Sequence, residues 1–308
     1  MKKIFLGVFL ALASVVLVQV GCDPKATPAS ATVPVGPSLA ATKSNFNTTV
    51  NQPYGMCMDA SGNLYVAERD NMDIVKITPA GVKTVFATGF IGPRDIQLSP
   101  SGVFYVADEG PQSSCCSGGL LKKIVGGVVS TIAGPWAGPR ALAIDGAGNV
   151  YVSDNFGTKI YKVTAGGAIS TFAGTGTRSY VDNTSTATAT FNYPCGIAVT
   201  KDGNTVYVVD RNNYAIRKIT GGMVSTFQSG GWSWPEMAAL DAQGNLYVTD
   251  NGNSLWKVTP GTRTMVTNGF SCPMGVLVVG NPKAGGKIFV SDNCSTPNKI
   301  WSVNYPSF

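Results

Sequence analysis

The 308 residues contain no histidine and only three glutamates, Glu68, Glu109 and Glu236. Without an imidazole there is no Ser-His or Cys-His nucleophile pair, no c-type haem attachment and little prospect of a catalytic zinc site. Any chemistry must run on carboxylates, Lys, Tyr, Cys or a hard cation. One stretch invites the last of these. IDGAGNVYVSDN, Ile144 to Asn155, sets two aspartates among two glycines and two asparagines, a composition close to that of a calcium loop. An EF-type loop would also need a terminal bidentate carboxylate, and this stretch ends in Asn155.

The stretch is also not unique. NLYVAE (63 to 68), VFYVAD, NVYVSD, TVYVVD, NLYVTD and KIFVSD (287 to 292) are copies of one strand, and their last residues lie 40, 46, 56, 40 and 42 apart. Each follows a proline and another apolar strand, from Pro53, Pro93, Pro139, Pro194, Pro235 and Pro273. A third strand comes after each copy, and five copies show a fourth. Gly and Asn in the turn between first and second strands supply positive φ, and Asp caps local backbone donors, so the opening stretch reads as a repeated turn and not as a metal loop. Four short strands in about forty residues predict an all-β fold, a six-bladed β-propeller of four-stranded antiparallel blades. The sixth blade lacks an outer strand, which a segment within residues 31 to 47 is positioned to donate.

The repeat PCGIAVTKDGNTVYVVDRNNYAIRKIT, residues 194 to 220, resembles an NHL repeat, and the resemblance extends over about 53 to 304. It implies the propeller fold. It leaves activity open, because NHL and related six-bladed propellers include protein-binding, RNA-binding, sensor and enzyme members. The Glu, Asn and Asp set of the similar gluconolactonase-like propellers implies a calcium alternative on Glu236, Asn155, Asn251 and Asn293. Strictosidine-synthase-like propellers use a single glutamate, comparable with Glu236. The peptide-amidating lyase branch needs histidine ligands that this chain does not possess.

At the start of the chain, positive Met1 to Lys3, an apolar run from Ile4 to Val20, and Gly21-Cys22 predict a lipoprotein-type secretory leader over 1–21 with acylation at Cys22, although Gln19 departs from the usual aliphatic residue. Residues 22–44 read as a tether, its end a candidate for the closing strand, and 45–308 as the propeller. Export, a membrane link through the lipid alone and a monomer are the expectations. The formal charge of +6, which falls by two when Lys2 and Lys3 leave, is too mild to argue for nucleic acid.

In a meander of this kind the loops entering the first strand and leaving the second share one end, the top. The residue after each proline there is Tyr54, Arg94, Arg140, Cys195, Glu236 and Met274, and the residue after each second strand is Arg69, Glu109, Asn155, Arg211, Asn251 and Asn293. Trp136, Trp232 and Trp234 also fall in top connectors. Arg and Trp favour interface centres, so Tyr54, Arg69, Arg94, Glu109, Arg140, Arg211, Trp232, Trp234 and Glu236 form the candidate surface for a protein, peptide or glycan. Arg94 and Arg140 would suit a carboxylate or phosphate group on the ligand. The alternative is a cation-dependent hydrolase or lyase with Glu236 as its active carboxylate. Among the cysteines, Cys272 and Cys294 flank the same blade's top and are expected to bond, while Cys57, Cys115, Cys116 and Cys195 allow several pairings.

Overall fold

The computed structural model describes residues 35–39, 41–47, 49–111, 117–182 and 184–305. The leader, Cys22, Cys115 and Cys116 lie outside them. Six antiparallel sheets are formed, spanning 53–87, 93–136, 139–173, 194–229, 235–268 and 273–304, each a meander from an inner strand outward. The strands are the Val-, Ile- and Tyr-rich segments that the repeat predicts, since branched and aromatic side chains pack well on a pleated surface.

Stability resides between the blades. Six apolar clusters occupy the six junctions. That of blades 3 and 4, for example, joins Tyr151 and Ile160 to Ile197 and Val208, all at most 2% exposed. Each such aliphatic side chain is worth about 1.5–3 kcal/mol of burial. Toward the axis the inner strands crowd one another. A Cβ on Gly275 would sit 2.2 Å from Tyr54 O, and one on Gly55 would sit 1.8 Å from Asp95 Oδ1, so both positions require glycine.

The ring closes as the missing strand requires. Thr42–Asn47 pairs antiparallel with Lys299–Asn304 as the outer strand of blade 6, and Phe46 meets Phe289 edge-on at 5.0 Å. Ser291 Oγ donates to Tyr54 O at 2.7 Å, joining the last blade to the first. A further short strand, Val35–Gly36, runs parallel to the outer strand of blade 5, so folded structure begins upstream of the expected 44/45 boundary.

The acid ending each second strand caps the loop that enters its own blade: Asp108 accepts from Gly92 N at 2.7 Å, Asp154 from Gly138 N at 2.7 Å and Asp292 from Cys272 N at 2.7 Å. These bonds hold the residue after each proline at the top of the channel. A register shift just beyond the proline, present in every blade, turns that residue toward the axis.

Candidate functional site

The top mouth is organised as two ion-pair clusters. In the first, Arg94 on the inner strand of blade 2 donates through Nε to Glu109 Oε2 at 2.7 Å and lays its guanidinium over the Tyr54 ring at 4.4 Å. Arg69 is beside them. Burial lowers the pKa of its guanidinium, as does the charge of Arg94, with Tyr54, Glu109 and Asp70 opposing.

The second cluster crosses the opening. Glu236 on blade 5 is 1% exposed, and its Oε2 meets Arg140 Nη2 of blade 3 at 2.7 Å. Its Oε1 receives Arg211 Nη2 at 2.9 Å and Asn251 Nδ2 at 3.2 Å. Arg211 opens a 3-10 turn, Arg211–Asn213, that places its guanidinium 4.8 Å above the Trp234 ring. Burial by itself would lower the Arg140 pKa, but Glu236, then Cys195, Glu109 and Tyr54, hold it well above the ordinary value. Arg140 thus feels both clusters. Cys195 is a free, buried thiol between them, pushed up to about 11 by burial.

Most candidate residues therefore converge: Tyr54, Arg69, Arg94, Glu109, Arg140, Arg211, Trp234 and Glu236 share the mouth. Trp232 does not. It is 6% exposed and packs edge-to-face on Trp256 with Arg263 over its ring at 4.7 Å, because its connector turns inward between blades. The arginines also differ from expectation. Arg94 and Arg140 are not open cations awaiting a ligand carboxylate, since each already holds a glutamate. The sequence carried a signal for this, all three glutamates lying on the arginine side, although only the folded chain pairs them. Asp95 was overlooked. It is fully buried on the inner strand of blade 2, where its oxygens accept from Ile96 N at 2.8 Å and, across the blade junction, from Leu142 N at 2.8 Å.

Cys272 and Cys294 are bonded, with Cα atoms 5.1 Å apart. Cys57 and Cys195 are free and buried, while Cys115 and Cys116 lie outside the described residues.

Residues 191–219 match the NHL repeat model. The chain is a six-bladed propeller carrying an NHL repeat. Solved structures similar to the propeller include a gluconolactonase from Xanthomonas campestris (14% identity, TM-score 0.68, covering 86% of this chain and 90% of that one). A putative gluconolactonase matches at 14% identity and TM-score 0.65, covering 89% and 97%. A catalytically inactive histidine-to-alanine variant of virginiamycin B lyase from Staphylococcus aureus, with quinupristin, matches at 16% identity and TM-score 0.59, covering 83% and 81%. At these identities the likeness is one of fold. No curated protein matches the propeller.

Calcium takes six to eight oxygens at about 2.3–2.6 Å, and the propeller's mouth does not offer them. Both oxygens of Glu236 are engaged by guanidinium or amide donors. Asn155 turns its amide nitrogen to Pro194 O at 3.3 Å, and Asn293 directs its oxygen at Cys294, 3.7 Å from the sulfur. Among the described residues no three His, Cys, Asp or Glu side chains converge as a metal group. The set Glu236, Asn155, Asn251 and Asn293 thus does not fit a calcium ion.

Proposed function

We propose that this propeller is an exported, lipid-anchored recognition module whose arginine-lined mouth binds acidic groups of a protein, peptide or glycan. The observation that carries the reading is the engagement of Glu236 by Arg140, Arg211 and Asn251. A carboxylate whose two oxygens are so occupied supports a structural part over that of a general base or cation ligand, because it fixes the guanidiniums in place. Among the described residues, four arginines at the mouth face Glu109, Glu236 and Asp70, the last paired with Arg69 at 3.5 Å, so the rim keeps an excess of one positive charge. Arg69 and Arg211, with side chains 14% and 26% exposed, present it to solvent. Planar cations already stacked on Tyr54 and Trp234 have little rotamer freedom left to lose on binding.

The rival reading is a lactone hydrolase centred on Glu236. Its support is the fold shared with gluconolactonases and a glutamate at the channel mouth. The donor set around that glutamate argues against it. The lyase neighbour loses catalysis with a histidine, and this chain has none.

The test uses a labelled oligoglutamate peptide and polygalacturonate as probes in fluorescence anisotropy, alongside melting with and without calcium and a gluconolactone hydrolysis assay. Binding that weakens about tenfold in Arg69→Ala and Arg211→Ala, as loss of a charged hot spot would produce, supports recognition. A calcium-dependent rise in Tm together with lactone hydrolysis would overturn it.

A further inference from the structure

The end of the propeller opposite the mouth has a character of its own. Of the eleven exposed large apolar side chains among the described residues, six lie there: Val35, Val82, Val125, Val128, Ile169 and Met223, at 46% to 69% exposure. Five flank the turn between third and outer strands of blades 1 to 4, and Val35 begins the short strand added to blade 5. Connectivity puts these turns at the same end as those between first and second strands, and the two sets touch. Ala165 N donates to Asn149 Oδ1 at 3.2 Å, and Thr220 Oγ1 donates to Asn204 O at 3.2 Å. The hairpins of blades 2, 4 and 5 have two-residue loops, whereas those of blades 1 and 3 have five-residue connections. Gly126 and Gly127, with φ of 56° and 81°, form a two-residue loop that leaves the paired Val125 and Val128 at the tip with no strand beyond them.

Behind the tips stands a ring of lysines. Lys76, Lys123, Lys162, Lys218 and Lys257, one in each of blades 1 to 5, occupy the same register opposite the second-strand tyrosine. All five side chains are half-buried, and two ammonium groups rest over the tyrosine they face, Lys162 Nζ at 5.0 Å from the Tyr151 ring and Lys76 Nζ at 5.9 Å from the Tyr65 ring; a long flexible stem can swing such a group out to an anionic surface. Lys201, Lys283 and Lys287 add to them from the turns, giving, among the described residues, eight lysines against Asp59, Asp145, Asp202 and Asp241 at this end. Nearer the axis the end opens into a depression of about 880 Å³, its inner wall made by Met58, Leu98, Ile144, Val199, Leu240 and Val278, one from each blade.

The first described residue also lies at this end, because Val35–Gly36 runs parallel to the outer strand of blade 5 with Val35 beside Arg263. Cys22, the expected acylation site, is thirteen residues upstream, within about 45 Å even if fully extended.

We propose that this end docks on an anionic phospholipid surface, the apolar tips entering the headgroup layer and the lysines meeting lipid phosphates, with the arginine-lined mouth facing away from the membrane. A protein partner would be served by one contiguous apolar patch with a polar rim. Here the apolar residues are spaced around a perimeter with lysines between them and the axis, a pattern suited to a broad surface of mobile headgroups. The orientation rests on the exported, anchored reading given above. The docking itself does not need the acyl chain.

The test therefore uses the chain from residue 22 carrying Cys22→Ser, which cannot be acylated, with vesicles of phosphatidylcholine alone or with one third phosphatidylglycerol. Sedimentation with the anionic vesicles, release by added salt, and a loss of about tenfold or more in the combined variant Val82→Asp, Val128→Asp, Ile169→Asp are expected. Each substitution is at an exposed tip, and an unchanged melting curve verifies the fold. Equal partitioning to both vesicle types, or binding indifferent to the tip substitutions, overturns the proposal. So does self-association abolished by those substitutions in sedimentation velocity, which would mark the end as a contact between copies. The mass of the wild-type protein extracted from membranes reads acylation at Cys22 separately, so failure of the anchor and failure of the docking surface are distinguishable.

Discussion

Asp95 makes the pH dependence of stability calculable. Its carboxyl is pushed up to about 7 from an ordinary 3.8 because burial outweighs the bonds from Leu142 N, Ile96 N and Gln97. A folded pKa above the unfolded one means that the native state binds the proton more tightly. Stability from this group is therefore full below about pH 4 and is lost as pH rises toward and through 7. At 1.36 kcal/mol per unit, the complete loss is about 4 kcal/mol, of which about 2–3 kcal/mol falls between pH 5 and pH 8. Asp95→Asn removes the titration while preserving the shape of the side chain. Urea unfolding of both proteins at several values from pH 5 to pH 8 isolates the effect, because Asp210, raised to about 6 by burial against the opposing charge of Arg217, contributes to both. The wild-type stability should fall by about 2–3 kcal/mol more than the variant's over that range. Parallel profiles would refute the argument and would mean that water or structural relaxation solvates the channel carboxylate.

Other perturbations have equally definite outcomes. Glu236→Gln leaves Arg140 and Arg211 facing each other without a charge between them, and should cost about 3 kcal/mol in chemical denaturation, part of it recovered by adding Arg140→Met. Replacing Cys272 and Cys294 by serine opens a loop of 22 residues, for which chain entropy gives a loss of about 3 kcal/mol, read as a lower denaturation midpoint. Deleting residues through 47 removes the outer strand of blade 6 and exposes the edge of Lys299–Asn304. The truncated chain should melt earlier and aggregate through that unpaired edge, visible by light scattering. Cys57 and Cys195, buried and with pKa values raised by that burial, should resist alkylation until the protein unfolds, as peptide mapping would show.

The sequence by itself determined the ring. Alternation within each second strand, glycine with or without asparagine in each turn, and a proline ahead of each inner strand are local signals repeated often enough to count blades and to reveal that the sixth needed a strand from the N-terminal segment. The Cys272–Cys294 bond was legible for the same reason, since both residues flank one blade's top. What only the tertiary structure decided were pairings across the axis. Arg140 and Glu236 are 96 residues apart and meet because the mouth is narrow enough for their side chains to span it. Trp232 was assigned to the surface by its place in a connector and is instead core, because the path of the connector and not its position in the repeat determines burial. Asp95 resembled any polar residue on a half-buried strand until the inner strands closed around it. Secondary structure follows from near neighbours in sequence, whereas the charge state and accessibility of a side chain depend on whatever the closed ring brings to within a few ångströms of it.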